Sequence, residues 1–352
     1  MVAPFTYTVS PARIVFGAGS VGQLATVMEA LGCTRALILS TRPQRQMAQQ
    51  IAGGLGPRAV AHFTDAVMHT PVEVTERAVA AYEAAAADCV IAIGGGSTIG
   101  LGKAIAYRND ATQIVVATTY AGSEVTPILG QTENGIKTTV RHSRILPEAV
   151  IYDPELTLGL PVAMSISSGL NAMAHAVEAL YAQDRNPISS MMAIEGIRAL
   201  KQSLPRIQEQ PADQNARSDA LYGSWLCGTV LGAVGMALHH KLCHTLGGSF
   251  DLSHAETHAI LLPHSLAYNA QAAADQLAPV ADLFGSSAGG GMHDFAASLG
   301  APLALRDLGM KEADLDLAAD IATRAPYWNP RPVERGAIRA LLQDAWQGNR
   351  PQ

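Results

Sequence analysis

The sequence predicts a doubly wound α/β half followed by an all-helical half. Three observations carry this. Short apolar runs alternate with helical patterns up to about residue 150, and the strand signal stops past Asp153-Pro154. A glycine turn, Gly94-Gly-Gly-Ser97, sits between an apolar run and a helical stretch. The expected division is 1–160 for the α/β domain and 161–352 for the helical domain.

Arg13–Phe16, Ala36–Leu39 and Val60–Phe63 read as strands. Cys89–Ile93 and Gln113–Ala117 are short, continuous and β-branched, as buried parallel strands are. Helical stretches fill the gaps at Val72–Ala87 and Thr98–Tyr107. Thr132-Glu-Asn-Gly135 reads as a hairpin turn between Pro127–Gln131 and Ile136–Val140. From Ser167 to Trp346 helix follows helix. Breaks are expected near Pro187, Pro205, Pro211, Gly247 and Pro263, and a surface loop at Gly285–Gly291.

Charged residues are 15% of 352 and hydrophobic ones 48%, which implies much buried helix or an oligomer interface. The net charge of −6 argues against a nucleic-acid partner. No apolar run approaches a membrane span, and the N-terminus shows no signal peptide. The four cysteines form no CxxC pair and read as reduced, buried thiols of a cytoplasmic protein.

Two glycine loops compete for a phosphate. Gly17-Ala-Gly-Ser-Val-Gly22 fits GxGxxG, but the acidic residue expected some 20 positions on is missing. Gly94, Gly95, Gly96 and Ser97 follow the best buried strand and open a helix at Ser97 or Thr98. That placement offers backbone N–H groups and the positive end of a helix dipole to a diphosphate. A polar cluster, Thr118-Thr-Tyr-Ala-Gly-Ser-Glu-Val-Thr126, follows the next strand. Two such clusters after adjacent strands suit a dinucleotide at the carboxyl edge of the sheet.

The helical half carries two polar stripes. His240 and His244 stand four apart on a stretch expected to end at Gly247-Gly248, and His254 follows. Asn171, His175 and Glu178 recur at i, i+4 and i+7. Two polar faces in an apolar half must meet or be solvated; meeting, they form a pocket. Glu178 reads as a supporting carboxylate. His258 and the other remaining histidines receive no role.

Gly94–Ser97, Thr118–Thr126, Ile151-Tyr-Asp-Pro154 and the two histidine stretches together resemble the iron-containing (group III) alcohol dehydrogenases, in order from Gly17 to about Pro263. The resemblance implies the architecture shared with dehydroquinate synthase-like cyclases, with the active site in the cleft between the two domains. It implies that Gly94–Ser97 cradles the diphosphate of NADH or NADPH. Thr118, Thr119, Ser123, Lys137 and Leu156 would be further contacts, and the loop at Gly17 would not be the phosphate loop. The family's metal site of one aspartate and three histidines falls on Asn171, His175, His240 and His254, and His244 matches its non-ligand histidine near the nicotinamide. Asn171 in place of the aspartate removes the anionic ligand, so no metal is expected.

The asparagine, with Lys241 beside His240, is similar to the branch of the family that reduces the carbon–carbon double bond of maleylacetate to 3-oxoadipate in aromatic catabolism. That branch implies a small dicarboxylate substrate, with substituted analogues as further candidates, and a homodimer. Hydride addition to an enone charges the ketone oxygen, which an imidazolium can stabilise by roughly 2–4 kcal/mol. The neighbouring carbon then needs a proton, for which His244 and His254 are the candidates. Lys241 is the candidate cation for a carboxylate. At the end of the second strand, Ser40-Thr-Arg42 shows no acid to repel a 2′-phosphate, so both NADH and NADPH are expected to serve. The competing readings are a metal-dependent alcohol or aldehyde oxidoreductase of the same fold and a non-catalytic nucleotide-binding protein.

Overall fold

In the computed structural model, which describes residues 5, 7, 12–133, 136–285, 287–325 and 327–352 but not the side chains of Ile136 and Lys137, the chain divides into two compact units. One is Val9–Leu160 with Ala212–Leu221. The other is Met1–Thr8 with Pro161–Pro211 and Tyr222–Gln352.

The first unit runs β1 (Arg13–Phe16), α1 (Leu24–Ala30), β2 (Ala36–Leu39), α2 (Arg45–Gly53), β3 (Ala59–Phe63), α3 (Val72–Ala84), β4 (Cys89–Gly94), α4 (Gly96–Asn109) and β5 (Thr112–Ala117). The hairpin β6 (Ile128–Glu133) and β7 (Ile136–Arg141) and the strand β8 (Ala149–Tyr152) follow. Six strands form one parallel sheet in the order β1-β8-β5-β4-β2-β3. β2, β4 and β8 are buried along their whole length, which explains why they read as unbroken apolar runs rather than alternating ones. β8, not foreseen as a strand, lies inside the sheet between β1 and β5. The hairpin forms as expected; its turn residues Asn134 and Gly135 lie outside the described residues. Ala212–Leu221 joins this unit through Arg217, a fully buried guanidinium that donates to Tyr120 Oη and Leu160 O, each at 3.1 Å.

The second unit is helical: α5 (Val162–Tyr181), α6 (Pro187–Glu209), α7 (Gln214–Ala233, which begins in the first unit), α8 (Leu238–Phe250), α9 (His254–Asn269), α10 (Ala274–Phe284), α11 (Ala288–Ser298), α12 (Leu315–Thr323) and α13 (Arg335–Gln347). One core packs Leu242 and Leu246 of α8 with Ile260 and Leu261 of α9 and Leu342 of α13. Three expected breaks fail, and the expected loop at Gly285–Gly291 is shorter than predicted. Pro205 and Pro263 lie inside α6 and α9. Each removes one ladder hydrogen bond, which burial of the surrounding turns outweighs. Gly247-Gly248 does not end α8; Asp251 does, in the left-handed conformation at φ 54°, with its N–H on Leu246 O. Gly289-Gly-Gly291 is not a surface loop but the buried first turn of α11, where a Cβ on Gly289 would meet Pro263 O at 2.7 Å. Among the described residues no single helix is long and apolar enough to cross a membrane.

Candidate active site

In the first unit the strand ends β2, β4 and β5 carry most of the expected cofactor residues. Gly94 closes β4, Gly95 caps α4, and Gly96 and Ser97 form its first turn, one residue earlier than expected. A Cβ on Gly94 would lie 2.5 Å from Thr98 Oγ1 and 2.7 Å from Gln44 Oε1, and one on Gly95 would lie 2.6 Å from Thr119 Cγ2. A Cβ on Gly96 would meet nothing within 4 Å, so this exposed helix end stays open to a ligand. Thr118 and Thr119 follow β5 directly, and Thr118 Oγ1 accepts from Gln44 Nε2 at 2.8 Å. Ser123 opens a 3-10 turn that Lys103, buried in α4, clamps. Its Nζ donates to Ser123 O, to Thr126 Oγ1 at 2.9 Å and to Ile128 O at 2.9 Å. Burial lowers this ammonium to about 7, against the pull of Glu124. Leu156 packs against the sheet core, and Ser40 is buried after β2. The side chain of Lys137 lies outside the described residues.

Gly17–Gly22 has its own anion. Asp153 accepts from Gly19 N at 3.2 Å and from Val21 N at 3.1 Å, so the N–H groups a phosphate would use are already taken. The absence of an acid near Arg42 is corrected. Asp65, just past β3, pairs with Arg42 at 2.8 Å and with Arg77 of α3 at 3.2 Å. It arrives from the neighbouring strand, where a search along β2 could not find it.

In the second unit the two polar stripes do meet. Glu178 of α5 accepts from the backbone N–H groups of Ala237 and His239 at the start of α8, at 3.0 and 2.8 Å, and from His240 Nδ1 at 2.6 Å. Burial raises this carboxyl, but the His240 bond, the neighbouring imidazoles and the backbone donors outweigh it and hold it at about 2. An ionised Glu178 only accepts, so His240 Nδ1 carries its hydrogen. With one hydrogen on His240, its Nε2 accepts from His175 Nδ1 at 2.9 Å, and His175 Nε2 faces Asn171 Nδ2 at 3.5 Å. Asn171 Oδ1 is buried without a partner.

A second chain runs alongside. Ser265 Oγ donates to Leu262 O at 3.0 Å and therefore accepts from His239 Nδ1 at 2.9 Å. His239 Nε2 then accepts from His258 Nδ1 at 2.9 Å, which leaves His258 Nε2 as a buried lone pair without a partner. Burial, with His240 beside it, lowers His239 to about 3. Burial, with His254 and the other imidazoles, holds His258 well below the usual histidine range.

His258 is the residue the sequence reading missed. Its ring lies 4.4 Å from that of His254 and 5.1 Å from that of His240. The spacing His254–His258 is the same i, i+4 signal that singled out His240 and His244. Of the other candidates, His254 opens α9 half-buried, and His244 is exposed with its ring 6.1 Å from that of His240. Lys241 Nζ lies over the Tyr327 ring at 5.9 Å from its centre.

As an iron site of the family's aspartate-and-histidine type the set is incomplete. Asn171, His175, His240 and His254 supply one amide and three imidazoles, with no anionic ligand. His175 Nδ1 and His240 Nε2 are engaged with each other. The grouping of His175, His240 and His258, whose ring nitrogens lie within 4.8 Å of one another, is also without an anion. These residues do not fit a resident iron of the family type.

The family of iron-containing alcohol dehydrogenases matches the chain over residues 11–154 and, by its C-terminal part, over residues 165–346. The chain belongs to that family. Within it, the maleylacetate reductase of Rhizobium sp. is 66% identical over 349 residues, 99% of each chain. That of Burkholderia cepacia is 56% identical over 96% of this chain and 97% of its own. The crystal structure of maleylacetate reductase from Agrobacterium tumefaciens superposes with a TM-score of 0.96 at 64% identity, covering 99% of this chain and 100% of that one.

Proposed function

We propose that the chain reduces the carbon–carbon double bond of maleylacetate to 3-oxoadipate with NADH or NADPH. Identity above 60% over the full length of both chains carries the reading, and it holds for a relative and a solved structure alike. The cofactor's diphosphate docks on the open first turn of α4, at Gly96 and Ser97, with Thr118, Thr119, Ser123, Lys137, Leu156, Ser40 and Arg42 around it. The histidine cluster takes the substrate.

When bound, the nicotinamide would supply a hydride to the carbon β to the ketone, and the electron pair of the double bond would move to the ketone oxygen. A proton then adds to the α carbon, so one NADH and one proton are used per turnover. The first chain ends on the Asn171 amide and the second on the bare Nε2 of His258, so a charged imidazolium donor for the enolate requires the cluster to take up a proton. His239 and His258 are held neutral by burial. The half-buried His254 and the exposed His244 are the two that reach solvent and pass the proton on. His175, His240 and Asn171 shape the oxygen site, and Lys241 attracts a carboxylate. The enzyme needs no metal, works in the cytoplasm as a homodimer, and binds neither nucleic acid nor membrane.

The test is NADH oxidation by chelator-treated protein with maleylacetate, followed at the nicotinamide absorbance. Turnover unaffected by the chelator supports the protein-only reading. Activity only after iron or zinc is restored overturns it in favour of the metal-dependent alternative. A Gly96→Asp variant checks the cofactor site, since a carboxylate there must weaken NADH and NADPH together, at least tenfold.

A further inference from the structure

The loop between β2 and α2 adjoins the glycine turn. Gln44 touches both sides of it, through Thr118 Oγ1 at 2.8 Å and through the space a Cβ on Gly94 would need. Thr41 Oγ1 bonds Gln44 Oε1 at 3.2 Å, which fixes the backbone on either side of Arg42. β3 is tied to the same edge. Ser40 N donates to Phe63 O at 3.0 Å and Ala66 N to Ser40 O at 3.3 Å, and this sets Asp65 opposite Arg42. Each oxygen of Asp65 holds one guanidinium, Oδ1 that of Arg42 and Oδ2 that of Arg77. Two cations share one anion, so the group carries an excess positive charge. Both arginines are open to solvent, with side chains 80% and 59% exposed.

Exposed ion pairs of this kind are weak and exchange readily. A phosphate dianion offers each guanidinium a better partner than a shared carboxylate. In a doubly wound domain the adenosine ribose lies at the end of the strand beside the phosphate loop, here β2 beside β4.

We propose that Arg77 and Arg42 together form a fork for the 2′-phosphate of NADPH, with Asp65 as its gate. Asp65 holds the two guanidiniums side by side when NADH is bound, and competes with the phosphate when NADPH is bound. The inference rests on the cofactor site argued above. It adds Arg77, which comes from a helix that the end of β2 does not point to, and it assigns Asp65 a role in selectivity.

The experiment measures kcat/KM for NADPH and for NADH in the parent, Arg77→Ala, Arg42→Ala and Asp65→Asn. The ratio cancels losses common to both cofactors. Arg77→Ala and Arg42→Ala should each lower the NADPH/NADH ratio at least fivefold, and Asp65→Asn should raise it at least fivefold. Competition against NADH by adenosine 2′,5′-bisphosphate, with 5′-AMP as control, reads the same preference without turnover. A ratio and a competition unmoved within twofold by Arg77→Ala overturn the inference, as does a fall of the ratio in Asp65→Asn. If Gly96→Asp also leaves both cofactors unaffected, the cofactor site itself is misplaced. If Gly96→Asp weakens both while Arg77→Ala is silent, only the fork is wrong.

Discussion

Glu178 Oε2 receives the Nδ1 hydrogen of His240 at 2.6 Å, and the same carboxylate gathers the first backbone N–H groups of α8. One buried anion thus sets both where the helix begins and which nitrogen of His240 faces His175. Glu178→Gln keeps the shape and an acceptor oxygen but removes the charge. Carboxylates that orient a metal-bound histidine matter by about 10–100-fold, and the same scale serves for the Glu178–His240 pair. We expect kcat to fall about 10–100-fold with KM for NADH little changed, measured by steady-state kinetics. A matching rise in KM for NADH would argue for general damage instead.

Acid should destabilise the protein early. His239, His258 and His264 are all held by burial below the ordinary 6.5, His239 at about 3 and His264 at about 4. Each stays neutral when folded and takes a proton once unfolded. Their contribution is therefore complete above about pH 6.5 and is lost as the pH falls toward the folded values. Each group adds a slope of about 1.4 kcal/mol per pH unit within that window. Urea unfolding at pH 7.5, 6.0 and 5.0 should show stability falling steeply, and His264→Asn should reduce the slope by about one proton.

Lys103 titrates in the opposite range. Its folded value of about 7 lies below the ordinary 10.5, so the unfolded chain binds the extra proton between them. Stability should therefore rise from pH 7 to pH 10 relative to Lys103→Met, as read by the difference in melting temperature between the two proteins. The same variant releases the turn at Ser123, so its KM for NADH should rise by more than its KM for maleylacetate. Thr126→Val, which removes one of the three acceptors, should show a smaller rise.

Gly94→Ala tests the glycine turn. The residue sits at φ 155°, and its Cβ would strike Thr98 and Gln44. Overpacking of this sort costs about 1–3 kcal/mol. Fluorescence titration should show NADH affinity reduced at least tenfold, with a lower melting temperature.

Asn171→Asp restores an anion beside His175. We expect measurable binding of iron or zinc by elemental analysis after dialysis, where the parent binds far less. Equal metal content in the two proteins would show that residue 171 does not decide metal binding.

Most of the α/β half was legible because its strands are buried on both faces and therefore read as plain apolar runs. β8 escaped because its four residues, Ala149–Tyr152, directly precede Asp153-Pro154 and were read only as part of a motif. In the helical half, punctuation misled. Gly289 and Gly291 serve close packing of α11, and Pro263 is absorbed into a buried helix. At the histidine cluster, spacing singled out both His240 and His244, and left His258, four after His254, without a role. It could not tell that His258 faces inward while His244 faces out. Asp65 was invisible for another reason, since its partnership with Arg42 spans two strands and no periodicity along one of them encodes it.

The position of β8 bears on how the chain is made. Among the described residues β1 pairs in the sheet with β8 alone, with Arg13 opposite Ala149. During synthesis β5, β4, β2 and β3 can assemble as the chain emerges, but β1 must wait for more than a hundred further residues. Arg217, later still, adds its bonds to Tyr120 Oη and Leu160 O. Pairings this distant form slowly, because loop closure precedes any gain from contact. A ribosome stalled before residue 149 should therefore carry an open sheet edge and an orphan strand.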